Sequence, residues 1–185
     1  MIPRERTPYS AIVDRPPLKL PDGARIVLWT IVNLEFWDIS RPMARQVLPA
    51  PTGQVLLPDV PNWAWHEYGM RVGVWRFFEL FARLAIRPTL SINARVCEEY
   101  ERVARAARDA GWEFMGHAWE QMPIHKVEDQ RAMIDRSLAI HAYITGQPHR
   151  IKYLEAIYDH VRRHDGVVFW TGEEILQWYE KARVA

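Results

Sequence analysis

Glu35 and His117 each stand where an apolar run gives way to polar sequence. A carboxylate at the end of a buried strand is costly unless it is paired or faces a cleft, and an imidazole takes up and releases protons near neutrality. Together they could hold a water or a metal ion, with Glu35 as base or ligand and His117 as ligand or orienting group. The plainer alternatives are a solvated strand end for Glu35 and a loop-bonded histidine for His117. Trp63, Trp65, His66 and Tyr68 crowd into one short stretch. They read either as a wall or lid over a ring-shaped ligand or as packing across the mouth of the fold. His66-Glu67 invites comparison with zinc peptidases, but no histidine follows at the required spacing. His160 and His164 lie one helical turn apart, as a metal pair or as solvated helix residues. Arg71 and Arg95 are candidates for meeting a carboxylate, and Cys97 has the placing of a packing residue.

These side chains need elements to position them. The 185 residues suffice for one domain with a proper core, here a proline-rich lead over 1–24 and a single domain over 25–185. Arg25 to Leu34 is a β-branched apolar run of the kind covered on both faces in a parallel sheet. The proline-punctuated stretch from Ile39 to Tyr68 predicts one long irregular excursion. A helical stripe over Gly73 to Ala85 follows, then a strand from Pro88 to Ile92, a helix to about Ala110, and a strand from Trp112 to Met115. Alternation of strand and helix with crossovers of this length predicts parallel β/α packing, which places function at the carboxyl ends of the strands. Glu128 to Ile140 reads as helix, but Ile140 to Ile144 reads equally as strand. Beyond it come an amphipathic helix over Arg150 to Arg163, a strand at Val167 to Trp170 and a closing helix from Glu173 to Lys181.

Composition narrows the function classes. Lys plus Arg number 24 against 23 Asp plus Glu, with no basic run longer than a pair, so nucleic-acid binding is not expected. The single cysteine excludes an internal disulfide framework and fits a reducing compartment, and the charged, proline-rich start lacks the apolar core of a signal peptide. The expectation is a cytoplasmic protein with no membrane partner.

Six stretches taken in order carry a resemblance: VNLEFW at Val32 to Trp37, NWAWHEYGMRVG at Asn62 to Gly73, LSINARVC at Leu90 to Cys97, EFMGHAW at Glu113 to Trp119, HAYITGQPHR at His141 to Arg150, and DGVVFWTGEEI at Asp165 to Ile175. The chain resembles the allantoinase-like branch of the polysaccharide deacetylase family. The resemblance implies a partial or distorted (β/α) barrel that hydrolyses non-peptide C–N bonds, here by opening a cyclic ureide or imide. N-deacetylation of an amino sugar is the alternative within the class. Metal-using members hold a divalent ion, typically zinc, through a first-strand Asp and an H-x-x-x-H motif. Glu35 falls at the first of these positions, and the motif reads His117 followed by Gln121, so the resemblance implies no metal or a weakly held one. It also makes Gln121 a candidate contact to a substrate amide, and His141 a general acid toward the departing nitrogen, with His149 and Arg150 as weaker candidates for an anionic or ureide oxygen. Roughly a hundred residues of a barrel of about 250 are skipped near 136–140. A barrel so shortened exposes sheet edges and implies a homo-oligomer, or a catalytically inactive binding or assembly module.

Overall fold

The computed structural model describes residues 9–50, 53–54, 56–122, 127–129 and 148–184, for 148–154 and 183–184 without their side chains. His141, the stretch predicted as helix or strand over Glu128 to Ile144 beyond its first two residues, and the apparent junction near 136–140 lie outside the described residues.

The apolar run from Arg25 to Leu34 forms two short strands, β1 (Ile26–Leu28) and β2 (Ile31–Leu34), where one was expected. The break comes from a change of partner. The Leu28 carbonyl accepts from the Trp170 amide at 3.1 Å, whereas the Thr30 carbonyl accepts from the Thr89 amide at 2.9 Å. β1 therefore runs parallel to β5 (Val167–Phe169) in a two-stranded sheet. β2, β3 (Thr89–Ile92) and β4 (Glu113–Gly116) form a second, three-stranded parallel sheet in that order. The α/β class and parallel strands agree with the sequence expectation; among the described residues the strands make two open sheets and no closed barrel.

The excursion predicted over Ile39 to Tyr68 is corrected at its end, because α1 occupies Val60–Tyr68. Asp59 caps it by accepting from the Asn62 amide, and Pro61 sits in the first turn where no N–H is required. The proline density that suggested irregularity thus includes a helix-start signal. A π-turn over Gly69–Gly73 carries α1 without interruption into α2 (Val74–Leu84). The expected helix after β3 divides into α3 (Ala94–Glu99) and α4 (Glu101–Asp109) at Tyr100, whose φ of −126° and ψ of 44° leave the helical region. The chain then enters β4 and later α5 (Pro148–Arg162), β5 and α6 (Gly172–Val184).

Because side chains alternate across a strand, Val32, Leu34, Leu90 and Ile92 face the helices and are buried with Phe77, Phe81, Val96 and Trp112. The opposite face carries the alternating rungs, Ile31 beside Thr89 and Asn33 beside Ser91. At the amino ends of the strands, the Glu113 carboxylate accepts from the backbone amides of Gly172 at 3.1 Å and Glu173 at 2.7 Å, capping α6 from another element. Thr171 and Glu174 complete a capping box on the same helix. No helix among the described residues is long and apolar enough to cross a membrane.

Phe81 is the hub of the core, stacked on Phe77 at 5.9 Å and meeting Trp112 and Tyr158 edge-on at 5.7 and 5.9 Å. Phe81→Ala is expected to lower unfolding free energy by about 3–5 kcal/mol, read from urea denaturation.

Candidate active site at the carboxyl ends of the strands

The register of the three-stranded sheet creates the site. Leu34, Ile92 and Gly116 share its last rung. The next residue on each strand is Glu35, Asn93 and His117, so three polar side chains follow the apolar rungs side by side. Asn93 locks the row together. Its Oδ1 accepts from the Phe36 amide at 2.8 Å, and its Nδ2 donates to the His117 carbonyl at 2.7 Å. Asn93 is fully buried, and one amide side chain thereby fixes the chain on both sides of it. The loop after His117 turns through Ala118 at φ 75° and folds back over α3, with the Ala118 and Trp119 carbonyls accepting from the Ala94 and Arg95 amides.

Glu35 is 1% exposed. Its Oε2 accepts from Trp37 Nε1 at 2.7 Å, while its backbone carbonyl meets His66 Nε2 at the same distance. A carbonyl only accepts, so His66 Nε2 carries the hydrogen. The His66 ring also stacks on Trp37 at 4.9 Å with 15° between planes. Glu35, Trp37 and His66 therefore form a closed triangle in which each member restrains the other two. Burial lowers the pKa of His66 and favours its neutral form. The adjacent Glu67 is held by Arg71 Nε at 2.6 Å and by the Tyr100 hydroxyl.

His117 Nε2 lies 3.8 Å from Glu35 Oε1. That separation suits an ion pair, yet desolvation opposes charge on both partners. It pushes the Glu35 carboxyl up to about 8 against the opposing hydrogen bond from Trp37. It also pulls His117 down to about 4. We assign the neutral pair at pH 7, a protonated carboxyl beside an unprotonated imidazole, which is a proton donor adjoining a proton acceptor.

A cleft of about 190 Å³ adjoins the row, lined by Trp37, Asp38, Arg41, Pro42, Met43, Ala44, Glu120, Gln121 and Met122. Neither Glu35 nor His117 lines it. Trp37 is the shared element, with its N–H on Glu35 and its ring in the cleft wall. The rim is a charge network in which Arg41 grips Glu120 with 2.7 and 2.8 Å contacts and Arg95 reaches the same carboxylate at 2.9 Å. Asp38 joins through Arg41, and Ser40's hydrogen bonds, above all, hold its carboxyl at about 2.

The sequence-derived candidates separate in space. Glu35 and His117 come together as expected, and Gln121 sits in the cleft wall, its backbone N–H donating to the Phe36 carbonyl at 3.2 Å. Trp63 and Trp65 pack half-buried against Trp37 and Met43. His66 is buried beneath Glu35, and Tyr68 is directed to Arg76, whose Nη1 donates to its hydroxyl at 2.9 Å. Arg71 and Arg95 are engaged by Glu67 and Glu120. Asn93 and Trp37 were missed as site residues; Asn93 was legible by the same strand-end rule that selected Glu35 and His117. Among the described residues no group of three His, Cys, Asp or Glu side chains could hold a metal ion. Glu35 and His117 alone do not fit a zinc centre, which draws three or four protein ligands.

No family model matches the sequence, and no curated relative does. Solved structures do match it. A crystal structure of Puue allantoinase superposes with a TM-score of 0.74 at 14% identity, covering 90% of this chain and 94% of that one. A crystal structure of a probable polysaccharide deacetylase from Pseudomonas aeruginosa PAO1 superposes with a TM-score of 0.68 at 16% identity, covering 91% and 95%. The chain has the polysaccharide deacetylase fold. The motifs that carried the resemblance and lie within the described residues therefore sit on a fold of that α/β type, with the Glu35–His117 row at the strand ends.

Two expectations follow from the triangle and its buried acid. Trp37→Phe keeps a ring against His66 but deletes the N–H that favours the carboxylate, so the Glu35 titration midpoint should rise by about one pH unit in carboxyl ¹³C NMR. The folded-state pKa of Glu35 is raised, so its stabilising contribution is present below about 4.5 and is lost as pH rises through about 8. Relative to Glu35→Gln, the wild type should lose several kcal/mol of unfolding free energy over that window, on the order of 5 at most, in denaturation curves taken at successive pH values.

Proposed function

We propose that the protein is a hydrolase of non-peptide C–N bonds acting on a small cyclic ureide or imide, in the manner of an allantoinase. The observation that carries this reading is the acid–base pair of Glu35 and His117 at the strand ends of a fold shared with an allantoinase. The neutral imidazole of His117 takes a proton from water as the water oxygen bonds to the ring carbonyl carbon. The protonated Glu35 carboxyl donates toward the developing oxyanion, a role that its buried, uncharged state supports. Cleavage of the C–N bond then needs a proton on the departing nitrogen, and His141 is the proposed donor. N-deacetylation of an acetylated amino sugar remains the alternative, and the absence of a second motif histidine at Gln121 argues against it.

Ring-opening assayed on allantoin, hydantoin and dihydrouracil, with an N-acetylglucosamine oligomer as comparison, tests the assignment. Glu35→Gln and His117→Ala should each reduce kcat by about 100-fold or more. The kcat/KM profile should fall below about pH 4 as His117 becomes protonated and above about pH 8 as Glu35 ionises. Ring-opening that survives both substitutions unchanged would remove the pair from the mechanism.

A second reading is favoured by the sheet edge. Among the described residues β4 pairs with β3 alone, and Phe114 on it is 42% exposed. On this reading the chain is an inactive assembly module whose edge is covered by a second copy. Light scattering in dilute solution should then return twice the chain mass, together with no turnover on any ring substrate; an active monomer would dispose of it.

A further inference from the structure

We propose that His160 and His164 form a binding site for a divalent transition-metal ion, separate from the Glu35–His117 row, that clasps the end of α5 to the turn entering β5. The two Nε2 atoms face each other at 3.1 Å, with the rings 4.7 Å apart and both side chains exposed. Two imidazole nitrogens bound at about 2.0–2.1 Å to one ion, at angles of 90–110°, stand about 2.9–3.4 Å apart. The observed pair already has that spacing, so an ion could replace the shared proton without a rotamer change.

The surroundings favour a cation at this point. His160 lies in the last turn of α5, where carbonyls lacking helical partners concentrate negative potential. His164 lies beyond the helix end, tied back by its amide to the Val161 carbonyl at 3.2 Å. Of the two arginines between the histidines, Arg162 lies over the Phe169 ring, 5.7 Å from its centroid. A bound ion would join the helix to the Asp165-Gly166 turn. That turn also receives β1, since the Gly166 carbonyl accepts from the Arg25 and Ile26 amides at 2.5 and 2.9 Å. The clasp would therefore steady the β1–β5 sheet. Two protein nitrogens leave the other positions to water, and imidazole ligation selects Cu²⁺ over Ni²⁺ and Zn²⁺ and excludes Mg²⁺.

The full chain is titrated with Cu²⁺ alone in a non-coordinating buffer at pH 7.5, followed by calorimetry and by electron paramagnetic resonance. One ion should bind per chain with a two-nitrogen spectrum and a raised melting temperature. His160→Ala and His164→Ala should each weaken binding at least tenfold and abolish the thermal shift, whereas His117→Ala should leave both in place. Undiminished Cu²⁺ binding in either helix variant, or a spectrum lacking two nitrogens, would overturn the site. Loss of binding in His117→Ala alone would assign the ion to the strand-end row instead. Because both helix residues are exposed, circular dichroism of each variant should match the wild type, which separates loss of a ligand from loss of fold.

Discussion

The arrangement at the strand ends depends on removing one carboxyl group from water. Glu35 is buried where the β2 hydrogen-bond ladder ends, and the penalty for charging it there pushes its pKa up to about 8. Such a group persists only if its surroundings fix it. Trp37 holds its side chain, His66 holds its carbonyl, and stacking between those two rings ties both contacts together. A partly satisfied network here would cost more than an apolar core, which accounts for the amount of sequence committed to it.

The support reaches through three layers. His66 stands on α1, and α1 continues through a π-turn into α2, whose Phe77 and Phe81 fill the core beneath the sheet. Asn93 links the segments after β2 and β4, so the spacing of Glu35 and His117 is inherited from parallel pairing on either side of β3. At the opposite end, Glu113 draws the start of α6 against β4. Core, sheet and caps therefore act on the same few ångströms between Glu35 and His117, each of which directly follows the last residue of a strand.

Much of this was legible in the sequence for local reasons. The strand–helix alternation, the apolar stripe of α2 and the polar residues at strand ends arise from neighbouring positions, so periodicity reports them. The single predicted strand over Arg25 to Leu34 failed for a non-local reason, since its two halves hydrogen-bond to segments far apart in the chain. The reading of Ile39 to Tyr68 as wholly irregular failed because proline density was weighed as a loop signal, while Asp59 and Pro61 together mark a helix start.

By itself, the sequence determined the parallel α/β class and the places where polar residues interrupt apolar runs, because both follow from side-chain alternation along a few residues. Only the tertiary structure decided that Glu35, Asn93 and His117 form one row, since that depends on the register between strands. It also decided that His66 supports the Glu35 carbonyl from below, and that burial pushes the Glu35 carboxyl up and the His117 imidazole down. A protonation state is set by the dielectric and the partners around a group, and neither exists until the chain has folded.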